Sequence, residues 1–249
     1  MTEHFTIIGH RGAAGLEPEN TIPSFLLALD LGCRALELDV HTLPREPGAL
    51  AVIHDAKLDR TTNLKGHVKD FSSEALKGAQ PSVPLLNDVI EAILDWCATN
   101  KVPASEIWLN IELKGLNTAE SARALMLEYP DLSYIVSSFN HDELRDFRQL
   151  DKASAVAPLF DRWQADCMDI ASQLDATGIN LSKRIVTKPR VEQIHSAGYQ
   201  IWVYTVNTRR SATRMAKLGV DGIFTDRPDR MLSSELQAGG ITPSWRVVQ

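Results

Sequence analysis

The chain has 249 residues, a length that suits one α/β barrel of about 250 residues better than two average domains. With 44% hydrophobic and 23% charged residues, its composition is that of an ordinary globular protein. The formal net charge of −6 excludes the basic footprint that nucleic-acid binding requires, and it predicts no standing attraction to an anionic membrane.

The cysteines indicate a reducing compartment. Cys33, Cys97 and Cys167 are odd in number and far apart, and the sequence holds no CxxC pair. We therefore expect three reduced thiols that serve as small apolar side chains. The N-terminal segment MTEHFTIIGHRG lacks the basic region of a secretory signal, and no apolar run approaches the roughly 18 residues of a membrane span. The sequence thus predicts a cytoplasmic protein.

Short apolar runs alternate with stretches of helical periodicity along the chain. The runs predict parallel strands at 5–9, 35–40, 107–113, 132–137, 154–159, 178–181, 200–205 and 221–225. Apolar stripes predict helices at 87–99, 119–128 and 209–218. Strand–helix alternation of this kind predicts a parallel α/β sheet, and eight such strands are the number that closes a (β/α)8 TIM barrel.

One further strand-like run, at 50–53, does not fit the parallel pattern. The connection from the strand ending at Val40 is short and contains two prolines and a glycine, whereas a parallel crossover needs a dozen or more residues. We therefore assign 50–53 to an antiparallel excursion from strand 2. The stretch from about 41 to 83 becomes a small insertion lobe over the barrel mouth, within one domain that spans 1–249.

Charged side chains share one face of two predicted strands. Because strand side chains alternate between faces, Glu37 and Asp39 lie together in the second strand, and Glu112 lies with Lys114 at the end of the third. In a barrel the apolar faces meet the outer helices. We expect these charged side chains to point inward near the C-terminal ends of the strands, where barrel active sites lie.

Three inward carboxylates require compensation, because burying an unpaired charge is costly. One interpretation is an ion-pair network with Lys114 and Arg11. The interpretation we favour is a hard divalent cation, since Mg²⁺ and Ca²⁺ prefer oxygen ligands. With such a cation and both basic residues, the site would keep a single net positive charge. A phosphodiester monoanion neutralises that charge, and a dicarboxylate or a neutral sugar fits less well.

Two histidines end strand-like runs and are expected at the same mouth. His10 ends TIIGH and His54 ends AVIH. Imidazole suits general acid–base work because its reference pKa is about 6.5. Hydrolysis of a phosphodiester needs one group to deprotonate the nucleophile and another to protonate the leaving alkoxide, and two histidines supply both.

Several segments then match a known family in the expected order. They are HRGAAGLEPENT, ELDV, IHDAKLDRTT and NIELK, followed by VPLLNDV, SSF, VYTVN and GVDGIFTD. The chain resembles the glycerophosphodiester phosphodiesterases of cytoplasmic bacterial type from residue 7 to about residue 228. The resemblance implies a TIM barrel of the PLC-like phosphodiesterase superfamily with a small insertion after strand 2. It also implies hydrolysis of glycerophosphodiesters to sn-glycerol 3-phosphate and an alcohol.

The resemblance assigns roles position by position. It implies acid–base histidines (His10, His54), phosphate-binding cations (Arg11, Lys114) and ligands of one Mg²⁺ or Ca²⁺ (Glu37, Asp39, Glu112). Tyr204 stands where the family often has Trp, as an aromatic wall for the glycerol group. The turn at 41–48 is longer than the family's usual Asp-Gly turn. Asn20, a favoured N-cap residue, is assigned with Glu19 to the start of the following helix.

Other functions stay open at this stage. A lysophospholipase D-type phosphodiesterase, a barrel lyase with a Schiff base on Lys114, and a non-catalytic phosphodiester-binding module are the alternatives. Carboxylates beside Lys114 would favour its charged form and oppose the lyase, and the presence of both histidines opposes the binding module. We expect water-soluble diesters as substrates, with choline, ethanolamine and glycerol esters cleaved at similar rates. We expect no nucleic acid partner and no stable membrane association.

Overall fold

The computed structural model describes residues 5–232; the ends 1–4 and 233–249, which the sequence assigns to the same domain, lie outside the described residues. Nine strands form one sheet: β1 (Thr6–His10), β2 (Ala35–Thr42), β3 (Leu50–Val52), β4 (Trp108–Leu113), β5 (Ser133–Ser138), β6 (Ala155–Phe160), β7 (Gly178–Ser182), β8 (Gln200–Tyr204) and β9 (Gly222–Thr225). Among these, β1 pairs in parallel with both β2 and β9, which closes the barrel. The predicted (β/α)8 barrel is confirmed.

Helices follow most of the barrel strands. They are α1 (Ile22–Asp30), α2 (Ser73–Lys77), α3 (Leu86–Asn100), α4 (Thr118–Met126), α5 (His141–Leu150), α6 (Cys167–Gln173), α7 (Lys188–Ser196), α8 (Arg209–Leu218) and α9 (Pro228–Met231). Helix α3 buries the apolar stripe that predicted it, including Val89, Ile93 and Cys97. Thr21 caps α1, because its side chain accepts a hydrogen bond from the backbone N–H of Ser24.

The two faces of each barrel strand have different surroundings. The outward residues of β2 and β4, such as Leu36 and Ile111, belong to the main hydrophobic core that also includes the helices. A separate apolar layer fills the inside of the barrel with Ile8, Ala35, Trp108, Ile135, Ala157, Trp202 and Phe224. Polar side chains lie nearer the C-terminal ends of the strands. Apolar side chains therefore fill the inside of the barrel, and polar side chains gather at its C-terminal end, where barrel active sites lie.

The insertion after β2 has its own small core. Strand β3 runs antiparallel to the end of β2, with Val52 opposite Val40 and Leu50 opposite Thr42, as predicted. This pairing extends β2 two residues beyond the predicted end at Val40. A second hydrophobic cluster, separate from the main core, contains Leu43, Ala51, Ile53, Leu58, Val68, Leu76, Val83 and Leu85. The insertion is thus a packed unit beside the barrel.

Candidate active site

A small cavity lies at the C-terminal ends of β1, β2, β4 and β8. It has a volume of about 170 Å³, and its walls include His10, Arg11, Glu37, His54, Glu112 and Tyr204. Strand register explains the convergence: Glu37 lies opposite His10, and Asp39 lies opposite Glu112. Residues two apart on one strand face the same side, so the register brings the predicted carboxylates and histidines to one mouth.

The three carboxylates form a buried cluster. Ligand oxygens of Glu37, Asp39 and Glu112 all lie within 4.8 Å of one another. Burial and the charges of the other two carboxylates raise the pKa of Glu37 well above its usual range. Burial, with the charge of Asp39 next, raises the pKa of Glu112 to about 7. The three carboxylates repel one another when they are ionised, and a cation between them would offset that repulsion.

Two basic residues compensate the cluster only in part. Arg11 Nε lies 3.2 Å from Asp39 Oδ2, and Lys114 Nζ lies 2.8 Å from Glu112 Oε1. Within residues 5–232, Glu37 Oε1 and Asp39 Oδ1 are buried and have no hydrogen-bond partner. Lys114 Nζ also lies 3.8 Å from Asp39 Oδ1, beyond hydrogen-bonding distance, so the ion pairs leave both of these oxygens without a hydrogen bond. The unpartnered oxygens fit a hard divalent cation, which takes oxygen ligands of this kind.

The turn after β1 places Arg11 against this cluster. Arg11 and Gly12 both adopt positive φ angles, 52° and 82°. A Cβ on Gly12 would lie 2.5 Å from backbone and side-chain atoms of Ser24, so only glycine fits there. The turn aims the backbone N–H of Arg11 at Glu37 Oε2, with a donor–acceptor distance of 2.9 Å. The sequence HRG thus encodes the geometry as well as the charge.

The Asp226 carboxylate contacts the Nδ1 side of the His10 imidazole. His10 Nδ1 lies 2.6 Å from Asp226 Oδ1, and Nε2 lies 3.9 Å from Glu37 Oε2. Asn207 fixes Asp226 in turn, since its Nδ2 donates to Asp226 Oδ2 at 2.5 Å. Although burial opposes it, the hydrogen bond from His10 lowers the pKa of Asp226, which stays ionised. An ionised partner at Nδ1 leaves Nε2 free to exchange a proton in the cavity.

His54 has an equivalent partner from the insertion. Its Nδ1 lies 2.6 Å from Asp55 Oδ1, and Nε2 lies 3.2 Å from Lys114 Nζ. The longer turn at 41–48 does not displace it, because the backbone N–H of Ile53 donates to the carbonyl oxygen of Asp39. Burial lowers the pKa of His54, so the imidazole is neutral at neutral pH.

A chain of ion pairs joins this histidine to the first loop. Arg60 Nε donates to Asp55 Oδ2 at 2.6 Å, and its two other nitrogens donate to Glu19 at 2.8 and 2.7 Å. Glu19 also accepts from Arg11 at 2.8 Å. The chain His54–Asp55–Arg60–Glu19–Arg11 therefore links the His54 imidazole to the Arg11 guanidinium, and both residues line the cavity.

Comparison with known proteins identifies the family. The sequence profile described as "Glycerophosphoryl diester phosphodiesterase family" matches residues 10–230. The chain belongs to this family. It is 36% identical over 251 residues to a glycerophosphodiester phosphodiesterase of Bacillus altitudinis, covering 90% of this chain and 95% of the relative. A second relative of that description, from Caldanaerobacter subterraneus, is 32% identical and covers 94% of this chain and 98% of its own length.

Solved structures agree with the barrel. A phosphodiesterase of Oleispira antarctica, in complex with the product sn-glycerol 3-phosphate, superposes with a TM-score of 0.80 at 26% identity. The match covers 94% of this chain and 95% of that one. Within the described part of this family member, no helix has the length and apolar character needed to cross a membrane.

Aromatic rings line one side of the cavity in this phosphodiesterase fold. Tyr204 packs edge-on against Phe139, with ring centroids 5.8 Å apart, and Lys114 Nζ lies 5.6 Å from the Phe139 ring centre. The Tyr204 hydroxyl is buried and has no hydrogen-bond partner among the described residues. Burial raises the pKa of Tyr204, so its hydroxyl keeps its proton. Tyr204 can therefore donate a hydrogen bond into the cavity.

Several residues that hold the site residues in place were not predicted from the sequence. Asp226 and Asp55 belong to segments quoted for the resemblance, GVDGIFTD and IHDAKLDRTT, and a carboxylate close to the end of a strand was the available signal. Asn207 and Arg60 also lie in quoted segments, VYTVN and IHDAKLDRTT, but no local pattern pointed to their partners, which are distant in sequence. The assignment of Asn20 to a helix cap is wrong: Thr21 caps α1, whereas Asn20 Nδ2 donates to Asp39 Oδ2 at 2.9 Å.

Proposed function

We propose that this protein hydrolyses glycerophosphodiesters to sn-glycerol 3-phosphate and an alcohol, with one divalent cation and two acid–base histidines. The observation that carries the proposal is the meeting of three buried carboxylates with two carboxylate-backed imidazoles at one cavity. The Oleispira relative, whose structure holds sn-glycerol 3-phosphate as product, supports the choice of the glycerol phosphate half.

Glu37, Asp39 and Glu112 would hold the cation, and Mg²⁺ or Ca²⁺ suits their oxygens. When bound, the cation supplies positive charge beside the phosphoryl oxygens, where negative charge develops during the reaction. Arg11 and Lys114 add to this role. Burial opposes the charge on Lys114, but Glu112 and Asp39 outweigh it and raise the lysine's pKa. Lys114 is therefore cationic, which suits a phosphate ligand and opposes a Schiff base.

The imidazoles of His10 and His54 move the protons. A neutral Nε2 accepts the proton of the attacking hydroxyl, from water or from the glycerol itself, while the new P–O bond forms; where the glycerol hydroxyl attacks first, water then opens the cyclic phosphate to give sn-glycerol 3-phosphate. As the P–O bond to the alcohol breaks, the protonated Nε2 of the other histidine gives its proton to the alkoxide. Asp226 and Asp55 hold the two Nδ1 atoms and stabilise each imidazolium while it carries the proton. Requiring one neutral and one charged imidazole predicts a bell-shaped pH profile of kcat/KM.

The glycerol half would occupy the small cavity. Its polar walls include Asn110 and the hydroxyl of Tyr204, whose buried oxygen has no hydrogen-bond partner within 5–232. A substrate hydroxyl satisfies such a buried donor, and a buried donor left unpaired costs about 1–3 kcal/mol. Tyr204 therefore favours a polyol at this position.

The same contacts bear on the domain organisation of the protein and on its substrates. We infer that the barrel and the insertion at 41–83 act as one domain, because His54 at the edge of the insertion faces Lys114 of the barrel. Water-soluble diesters in the cytoplasm are the proposed substrates, with neither nucleic acid nor a membrane as a stable partner. A net charge of −6 agrees with this, since it supplies no attraction to either polyanion.

The test compares three histidine variants on glycerophosphocholine, with release of sn-glycerol 3-phosphate as the readout. His10→Ala and His54→Ala should each lower kcat by at least about 10²–10⁴-fold. His195→Ala is the matched control, because His195 also contacts a carboxylate (Asp221, 2.9 Å) but lies outside the cavity. A wild type that releases no sn-glycerol 3-phosphate, or a site variant with normal kcat, would contradict the proposal.

A further inference from the structure

A second cavity lies beside the catalytic one. Its volume is about 720 Å³, and it is bounded by the insertion on one side and by the segment from Lys114 into α4 on the other. We call it the insertion groove. Pro44, Pro47 and Val68 contribute from the insertion, and Leu116 and Ala124 contribute from the opposite wall.

Two side chains connect the insertion groove to the catalytic cavity. Lys114 lines the groove, while its Nζ lies 2.8 Å from Glu112 Oε1 and 3.2 Å from His54 Nε2. His41 also lines the groove, and its Nε2 lies 3.1 Å from the backbone oxygen of His54. Lys114 therefore lies between the groove and the residues His54 and Glu112, which line the catalytic cavity.

The volumes of the two cavities indicate that each cavity takes one half of a diester. Ligand sites usually have volumes of about 300–1,000 Å³, and the catalytic cavity, at about 170 Å³, falls below that range. It is too small for both halves of a diester. The groove, at about 720 Å³, falls within the range. Because the hydroxyl donor Tyr204 lies in the small cavity, the glycerol half belongs there and the alcohol half belongs in the groove.

The lining of the groove indicates the chemistry of that alcohol. Leu116 is 70% exposed, so its apolar side chain is available to a ligand. Prolines and Val68 add further carbon surface. Among its charged residues, Lys69 and Glu120 are opposite in sign and Lys114 is paired with Glu112, so the lining gives little selection for an anion or a cation. An alcohol with an apolar segment longer than choline fits this surface.

We propose that the insertion groove binds the alcohol half of the substrate and favours alcohols that carry an extended apolar segment. This inference rests on the proposed hydrolysis of glycerophosphodiesters. It leaves choline, ethanolamine and glycerol esters at similar rates, since these alcohols are short and end in a charged or polar group. It adds a preference that increases with the length of the alcohol.

The experiment uses sn-glycero-3-phospho-n-alkanols from methanol to octanol, with purified full-length protein. For the wild type, kcat/KM should rise by about two- to fourfold for each added methylene, since each one leaves water for an apolar surface. Ala124→Trp places a large ring in the groove and should abolish the rise. Ala98→Trp, an exposed position on α3 outside the groove, is the matched control and should keep the rise.

A binding measurement separates this inference from the proposed reaction. Calorimetric titration with octyl phosphate and methyl phosphate should show at least tenfold tighter binding of the octyl compound to wild type and Ala98→Trp, and no such difference for Ala124→Trp. A wild type that cleaves no ester would overturn the proposed hydrolysis, and the titration would still decide the groove. Equal kcat/KM across the series, or an unchanged rise in Ala124→Trp, would overturn the groove assignment.

Discussion

Asp226→Asn isolates the electrostatic support of His10 from its packing, because the two side chains have nearly the same shape. In the native protein the Asp226 carboxylate accepts a hydrogen bond from His10 Nδ1 at 2.6 Å and another from Asn207 Nδ2 at 2.5 Å. An asparagine keeps one acceptor oxygen, and this oxygen can accept the hydrogen bond from Asn207 Nδ2. The amide nitrogen then faces His10 and donates to Nδ1, so the proton of the neutral imidazole moves to Nε2.

The loss of activity can be estimated from that change of tautomer. As a base, neutral His10 with its proton on Nε2 would present no lone pair to the cavity; as an acid, it would donate poorly, because the neutral form left behind would need its proton on Nδ1, against the amide N–H. The imidazolium also loses a charged partner. The corresponding change in a carboxylate–histidine pair of hydrolases costs about 10⁴-fold in kcat. We expect about 10³–10⁴-fold here, or roughly 4–5.5 kcal/mol of transition-state stabilisation.

The assay is steady-state hydrolysis of glycerophosphocholine across pH, with thermal unfolding measured in parallel. Asp221→Asn is the matched control, because Asp221 also contacts a histidine (His195) but lies away from the cavity. The control should keep kcat. The reasoning about His10 is refuted if Asp226→Asn retains more than about a tenth of wild-type kcat, or if its loss of activity is explained by unfolding at the assay temperature.

Three further predictions concern the supports of the site. Arg60→Met should lower kcat about tenfold or more, because it releases Asp55 and Glu19 from their ion pairs. Arg60→Lys should restore part of the activity, and the control variant Lys65→Met should have no effect. An unchanged kcat in Arg60→Met would show that the ion-pair chain is dispensable. Glu143 accepts hydrogen bonds from the backbone N–H groups of Asn117, Thr118 and Ala119 at the start of α4, so Glu143→Ala should lower the free energy of unfolding by about 1.5–3 kcal/mol in denaturant titrations. Exposed Glu192→Ala should have no effect, and equal stability of the two variants would contradict this role. The folded-state pKa of Asp226 is lowered. The contribution of this carboxylate to stability should therefore be complete above its unfolded pKa of about 3.9 and should vanish as the pH falls through the folded pKa. A stability difference between wild type and Asp226→Asn that grows on acidification would contradict this prediction.

Alternation along single strands made much of the site predictable. Glu37 and Asp39 had to share a face, and Leu38 between them had to face the helices, because the period of a strand is two residues. The short connection after Val40 excluded a parallel crossover and so placed 50–53 antiparallel to β2, which the structure confirms. The eight parallel strands that remained then determined the barrel.

Contacts between distant loops were not predictable in the same way. Asp226 reaches His10 only because β9 closes onto β1, and Asn207 reaches Asp226 from the loop after β8. Arg60 depends on how the insertion packs, and no periodicity governs its irregular backbone. The role of Asn20 was misread because its local preference for a helix cap competes with a buried carboxylate, Asp39, nineteen positions away along the chain. In each case the decisive partner lies outside the reach of local sequence patterns.

The central claim is that Glu37, Asp39 and Glu112 hold a cation on which the hydrolysis depends. The direct measurement removes metal with a chelator and follows release of sn-glycerol 3-phosphate from glycerophosphocholine as Mg²⁺ or Ca²⁺ is added back, with bound metal per chain determined in parallel. We predict no activity without metal, recovery as one ion binds per chain, and a weaker response in correctly folded Asp39→Asn. Full activity of the metal-free protein, or unchanged metal affinity in Asp39→Asn, would contradict the claim.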